Sequence, residues 1–205
     1  MNIHVSSALR KHRLLVVIIL CFSQMAWTQS PTPKVTVHLD PQKTEIHWAL
    51  GTTLHTVHGT FRLKGGMMTF NPATGAAEGE FLVDVTTGES GNNSRDGKMQ
   101  NEVLESGKYP QAFFHPVKVS GEVKTGSPQN VIVDGMFNIH GADHPLRLQM
   151  TVQLNGTDAT ATTRFTIPYL AWGMKDESTF LLKVEKEVAV DVTARGTVDG
   201  LSPGR

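Results

Sequence analysis

The sequence predicts an all-β protein, an antiparallel sandwich or barrel of about nine short strands joined by short turns. Three observations support this prediction. Apolar and polar residues alternate with period two in segment after segment between residues 35 and 198, as in strands with one buried face. The pair Asn155-Gly156 is a strong hairpin signal. Only one segment, near residues 94–106, has helical spacing instead.

Residues 1–28 have the features of a secretory signal peptide. Three basic residues precede the nine-residue apolar run LLVVIILCF, and small or polar residues follow it. This run is too short to span a bilayer, which takes about 20 residues. We therefore expect cleavage near Gln29 and a secreted or periplasmic mature protein. The one cysteine, Cys21, lies in the apolar run, so the mature chain has no disulfide to stabilise it.

The charge balance of the remaining chain points to no polyanionic partner. Without residues 1–28 it carries 16 Lys and Arg against 19 Asp and Glu, and no block of like charges suggests nucleic-acid binding. No later segment is apolar for long enough to cross a membrane as a helix. About 170 residues is a normal size for one domain with one core, and we expect that domain over residues 34–200. The oligomeric state stays open, a dimer included.

The alternating segments from which this number of strands is estimated follow one another along the chain, each with apolar residues at every second position. They centre on residues 35–39, 46–50, 57–63, 66–70, 77–85, 113–119, 131–139, 146–154, 159–167, 180–184 and 188–198. Residues 168–178 form the longest irregular connection late in the chain. Their apolar content predicts that part of this connection packs against the end of the sheet.

The segment with helical spacing predicts a short amphipathic helix over about residues 94–106. Asn93 or Ser94 can cap its start, and Gly107 can end it. Its narrow apolar face consists of Met99, Val103 and Leu104. A stripe of about two turns cannot form a core of its own, so we expect the helix to cover an open end of the sheet.

Three blocks of sequence are informative together, through their order and spacing. They are VHGTF at residues 57–61, SRDGKMQNEVLESGKYPQAFF at 94–114 and GMFNIHGADHPLRL at 135–148. In this arrangement the chain resembles the YceI-like family of polyisoprenoid-binding periplasmic proteins, over nearly all of residues 35–198. The resemblance implies a lipocalin-like antiparallel barrel of about eight strands with the helix near a barrel end. Tyr169 and Ala171 depart from the family's pattern, in which Arg and Asp are common.

Metal and enzyme chemistry are weakly supported by the residues. His140, Asp143 and His144 surround one turn, but no further ligand follows at a zinc-like spacing, so we predict no metal and no other cofactor. The chain has no Gly-x-Ser-x-Gly elbow and no glycine-rich phosphate loop. The pair Arg95-Asp96 fits a helix-terminal ion pair as well as a catalytic role. We predict that the protein is not an enzyme.

The resemblance implies a non-catalytic binding protein for an isoprenoid or other long-chain lipid held inside the barrel. The candidate lining residues are Trp48, Val57, Phe61, Phe81, Met99, Val103, Phe113, Phe137, Phe165 and Trp172. A barrel of this size can also be filled by its own side chains, and the sequence does not decide between an open and a filled interior. The two other function classes are a metal- or redox-linked accessory protein and a ligand-free structural β-module.

Overall fold

A computed structural model describes residues 34–201, so the predicted signal peptide lies outside the described residues. The strands are β1 (Val35–Leu39), β2 (Glu45–Gly51), β3 (Thr56–Phe70), β4 (Ala77–Glu89), β5 (Gln111–Ser120), β6 (Gln129–Ile139), β7 (Ala142–Asn155), β8 (Asp158–Ile167) and β9 (Val188–Asp199). Helix α1 (Asn93–Lys98) lies between β4 and β5 and continues into a π-helical turn at Met99–Val103. Within residues 34–201, no helix combines the length and hydropathy that crossing a bilayer requires.

The strands form one antiparallel sheet that closes on itself. Neighbouring strands pair around the ring in the order β2, β9, β8, β7, β6, β5, β4 and β3. The pairing of β3 with β2 completes the ring. Strand β1 pairs with the other halves of β3 and β9, so β1 and β2 lie end to end in one position of an eight-position barrel. The predicted barrel of about eight strands, with a short helix near one end, is confirmed.

Residues 40–44 form a short excursion between β1 and β2, in the middle of the wall. The backbone N–H of Asp40 donates to the carbonyl of Arg195 at 2.8 Å, and the Thr44 hydroxyl donates to the same carbonyl at 3.3 Å. At Gly196 a Cβ would lie 1.9 Å from the carbonyl oxygen of His38. This close approach of β1 to β9 therefore requires a glycine.

The two ends of the barrel differ. At one end, here termed the closed end, Val35, Phe70, Leu154 and Val198 are all buried, and Val35 and Leu154 are only 1% exposed. The two longest connections, at residues 90–110 and 168–187, both lie at the opposite end. That end is termed the mouth, because the interior cavity described below reaches the surface there.

The helix starts one residue earlier than predicted and ends before Gly107. The Asn92 side chain caps the helix by accepting from the backbone N–H of Arg95 at 3.0 Å. At the other end, Glu105 adopts a left-handed φ of 45°, which turns the chain out of the helix. Gly107 is therefore not the residue that ends it.

The strand predicted at residues 180–184 is not formed. The backbone N–H of Thr179 donates to the carbonyl of Leu182 at 2.7 Å, which makes Phe180 and Leu181 the two central residues of a tight turn. Only Val184 forms a bridge, with Thr52. An apolar run favours a strand by propensity, but hydrogen bonds to a distant segment decide the conformation here.

Candidate functional site

The barrel encloses an elongated cavity of about 790 Å³. All nine strands contribute side chains to it, because alternate residues of each strand point inward. Most of the lining is aliphatic or aromatic. The polar lining residues are Thr44, Thr52, His55, Asn92, Ser94, Arg95, Lys98, Thr163, Glu177 and Thr179. The interior is thus open rather than filled.

Aromatic rings lie against glycines of the neighbouring strand. A Cβ on Gly59 would be 2.3 Å from the Trp48 ring, and one on Gly135 would be 2.6 Å from Cζ of Phe114. Phe81 has the same relation to Gly66, at 2.3 Å. Because each glycine has no side chain, the ring can lie close to the wall instead of standing into the lumen. This arrangement keeps space in a barrel that carries many large side chains.

The mouth is framed by three segments that are distant in sequence. Lining residues there come from the β2–β3 turn at residues 52–55, from α1, and from residues 177–184. The turn and the last segment are joined, since the backbone N–H of Thr53 donates to the carbonyl of Lys183 at 3.0 Å. Two turns that are hydrogen-bonded to each other therefore form one part of the rim of the mouth, and the helix forms another part.

Side-chain hydrogen bonds attach the helical segment to β4. The Gln100 amide donates to the carbonyls of Val85 and Gly88, at 3.0 and 3.1 Å. At the start of the helix, the Arg95 guanidinium donates to the hydroxyl and the carbonyl of Ser90, at 2.7 and 3.0 Å. The Arg95-Asp96 pair thus has a structural role here, since Asp96 also accepts from the Ser90 N–H at 2.9 Å.

Ion pairs connect the helical segment to the loop after β8. The Lys175 ammonium binds the carboxylates of Glu102 and Glu177, the latter at 2.9 Å, and Lys98 lies 4.0 Å from Glu177. The hydrogen bond from Lys175 lowers the pKa of Glu102, and the same bond raises the pKa of Lys175. Because these groups are exposed, the pairs orient the helix more than they stabilise the fold.

The structure brings eight of the ten predicted site residues to the cavity wall. They are Trp48, Val57, Phe61, Phe81, Met99, Val103, Phe137 and Phe165. Their position in the wall is an observation, and their contact with a ligand stays a prediction.

Phe113 does not line the cavity, and the prediction that its ring points inward is wrong. Its neighbours Ala112 and Phe114 are the buried, inward-facing residues of β5. A bulge in the β5–β6 pairing between Pro116 and Lys118 inserts one residue and reverses the alternation. Val119 therefore points inward, whereas an unbroken alternation traced back from it places Phe113 on the wrong face.

Trp172 is also absent from the cavity wall. Its ring stacks on the His144 ring with centroids 4.0 Å apart and lies 6.1 Å from the Phe137 ring. Its position depends on how the segment after β8 folds over the barrel end, which no local pattern determines. Two other residues of this segment, Tyr169 and Met174, are buried and do line the cavity.

The predicted list missed most of the aliphatic lining. Val131, Val133, Leu148, Met150 and Val152 all contribute to the wall. Their period-two alternation is the same signal that located the aromatic residues. The mouth residue Leu54 had no such signal, because it belongs to no strand, whereas Leu182 lies in the segment 180–184, whose predicted strand is not formed.

The three residues weighed as metal ligands point to different partners. The His140 ring lies 2.7 Å from a carboxylate oxygen of Glu105, and Asp143 accepts from the Asn138 amide at 2.7 Å. His144 stacks on Trp172. Across residues 34–201, no three His, Cys, Asp or Glu side chains come together as a metal-binding group.

Comparison with known proteins agrees with this geometry. The family model described as the YceI-like domain matches residues 38–195. The chain belongs to the YceI-like family. No protein with a curated description matches it.

Solved structures with the same YceI-like architecture have low sequence identity to this chain. Burkholderia cenocepacia BcnA has a TM-score of 0.62 at 20% identity, covering 77% of this chain and 98% of its own. A polyisoprenoid-binding domain from Saccharophagus degradans, implicated in plant cell wall breakdown, has a TM-score of 0.60 at 17% identity, covering 78% and 97%. The Campylobacter jejuni YceI protein has a TM-score of 0.51 at 10% identity, covering 95% and 93%. At these identities the likeness shows the fold alone.

Tyr169, one of the two departures from the YceI-like pattern, is buried at the mouth end. It is 5% exposed and belongs to the cavity wall, and burial raises the pKa of its phenol. Ala171 is exposed. This part of the barrel end thus contains a buried aromatic residue rather than the Arg and Asp that are common in the family's pattern.

The ring–glycine contacts predict a position-specific effect of added methyl groups. In Gly135→Ala, the new Cβ would lie 2.4 Å from the His115 carbonyl oxygen and 2.6 Å from Phe114. We expect the free energy of unfolding to fall by about 1–3 kcal/mol, measured by urea denaturation. Gly65→Ala is the matched control, because its Cβ meets nothing within 4 Å. Equal stability of the two variants would show that the glycine contact is not needed.

Proposed function

We propose that this chain is a non-catalytic carrier that holds one long apolar molecule, an isoprenoid or a fatty chain, inside the barrel. The observation that carries this proposal is the open cavity of about 790 Å³ with its aliphatic and aromatic wall. Ligand sites commonly have volumes of about 300–1,000 Å³. Burial of apolar ligand surface would provide the driving force, at about 25 cal/mol per Å² before the costs of association.

The shape of the cavity favours a linear ligand. Lining residues of β3 extend from Val57 near the mouth to Phe70 at the closed end, which is about 40 Å along the strand and about 30 Å along the tilted barrel axis. A compact ring system would leave much of that length empty. Family membership and the polyisoprenoid-binding domain among the structural neighbours support the same ligand class.

A pair of tryptophan substitutions on β8 tests this function. Ala161 lines the cavity, whereas its neighbour Thr162 is exposed on the outer face. We expect Ala161→Trp to weaken uptake of a fluorescent fatty acid about tenfold or more, because the indole occupies ligand space, and Thr162→Trp to leave uptake unchanged. Competition by an isoprenoid alcohol would then rank the two ligand chemistries.

Native mass spectrometry of the protein purified from its own cell envelope provides an independent measurement. A bound lipid that is depleted in Ala161→Trp and retained in Thr162→Trp supports the carrier. A stoichiometric metal ion would instead support the accessory-protein alternative. Protein that carries neither, and takes up no probe, would contradict the proposed function and leave a structural module.

We further propose that the helical segment acts as a lid. Met99, Val103 and Leu104 face the cavity, and the segment is held from outside by exposed ion pairs through Lys175. The segment also contains a short π-helical turn at Met99–Val103, a rare element that is frequent at functional sites. Such an element opens at lower free energy than a strand of the barrel wall.

Truncating the apolar face of the helix distinguishes a lid from a fixed plug. For Met99→Ala combined with Val103→Ala, a lid should show altered rates of probe uptake with a modest loss of stability. A plug should lose stability while uptake rates stay the same. Asn101→Ala, on the exposed side of the same turn, is the control. Stopped-flow uptake and urea denaturation provide the two measurements.

We also propose that the mature protein is secreted or periplasmic, on the basis of residues 1–28. N-terminal sequencing of the protein from the envelope fraction should give a start near Gln29. A start at Met1, or lipid attached to Cys21, would contradict the proposal.

A further inference from the structure

Three large apolar side chains at the mouth are almost fully exposed. Leu54 is 77% exposed, Phe180 94% and Leu181 86%. Among the described residues, only Met67 and Val117 are other large apolar side chains of this kind, at 48% and 57%, and both lie on strands of the outer wall. We term Leu54, Phe180 and Leu181 the apolar tip.

The apolar tip is carried on structured turns. Phe180 and Leu181 are the central residues of the turn closed by Thr179 and Leu182, and the Leu182 N–H also donates to the Thr179 hydroxyl at 3.1 Å. Leu54 belongs to the β2–β3 turn, which is bonded to this segment through Thr53 and Lys183. The hydrogen bonds hold the two turns that carry these side chains next to each other at the mouth.

Turn chemistry does not explain these residues. Central positions of tight turns favour Gly, Asn, Asp and Pro for conformational reasons, and neither phenylalanine nor leucine supplies such an advantage. Exposing large apolar side chains to water is also unfavourable. Positions that break local rules in this way are expected where a binding function requires them.

The tip is continuous with the cavity. The same two turns provide the lining residues Thr52, Leu54, Thr179, Leu182 and Val184. An apolar chain leaving the lumen would therefore pass directly along the tip. The apolar tip therefore adjoins the opening through which a ligand would enter or leave the cavity.

The area and charge of the tip fit a bilayer better than a protein. A stable protein interface needs about 800 Å² and 20–30 residues on each partner, whereas the tip consists of three protruding side chains. The charged residues beside it have both signs, with Lys183 and Lys186 next to Glu185 and Glu187. Apolar side chains surrounded by mixed charges suit insertion among lipids with the charges at head-group level.

We propose that the mouth docks on a lipid bilayer by inserting Leu54, Phe180 and Leu181, so that the cavity loads or unloads directly at the membrane. This inference rests on the proposed carrier function, because the tip matters only if an apolar chain moves through the mouth.

Flotation with vesicles tests the docking. The protein purified from its own envelope should bind phosphatidylcholine vesicles. The triple variant Leu54→Ser, Phe180→Ser, Leu181→Ser should bind them more weakly, by a factor of about ten or more. The variant Met67→Ser with Val117→Ser, which removes exposed apolar side chains from the outer wall, is the matched control and should bind like the parent. Replacing one fifth of the lipid with phosphatidylglycerol should change binding little.

Transfer measurements separate this inference from the carrier function. The double variant Phe180→Ser, Leu181→Ser leaves the lining residue Leu54 in place, and it should take up a fluorescent fatty acid from solution normally but acquire it more slowly from vesicles. Vesicle binding that is undetectable in the parent protein, or that survives the triple substitution, would overturn the docking proposal. Uptake from solution by the parent protein would still support the carrier function in that case. If the parent protein self-associates in the absence of vesicles and the triple variant does not, the docking proposal is overturned in favour of a contact between copies of this chain. Failure of uptake from solution in the parent would contradict the carrier itself.

Discussion

The pairing of β3 with β4 is the constraint on which the rest of the structure depends. It joins the two ends of a nine-stranded sheet, so the backbone groups of the wall are hydrogen-bonded to one another and the sheet has no open edge. In a closed barrel, the width of the lumen follows from the number and stagger of the strands rather than from how completely side chains fill it. The barrel can therefore stay folded around an open cavity.

Glycines and aromatic rings adjust the space that closure provides. Trp48 lies over Gly59, and Phe114 lies over Gly135, so the rings add apolar surface to the wall while taking little of the lumen. A side chain on either glycine would collide with its ring or the adjacent backbone. The same residues thus stabilise the wall by burial and define the surface that a ligand would meet, which links packing to the proposed function.

Stability and access are separated along the barrel axis. The closed end contains Val35 and Leu154, the most deeply buried large side chains among the described residues. The mouth is formed by a short helix, two joined turns and exposed ion pairs through Lys175. Segments with few buried contacts open at lower free energy than core strands. The proposed apolar ligand would therefore enter where opening is least costly, while the closed end holds the fold together.

The sequence by itself determined the strands, their approximate number and the helix, because period-two alternation, capping residues and turn pairs act over a few neighbouring residues. Only the tertiary structure decided which face of β5 is inside, since the bulge between Pro116 and Lys118 depends on pairing with β6. It alone showed that the lumen is open and that the turn carrying Leu54 is hydrogen-bonded to the segment carrying Phe180. Those features arise from strand register, closure and hydrogen bonds between distant segments, such as Thr53 with Lys183, and long-range pairing of this kind leaves no local pattern in the chain.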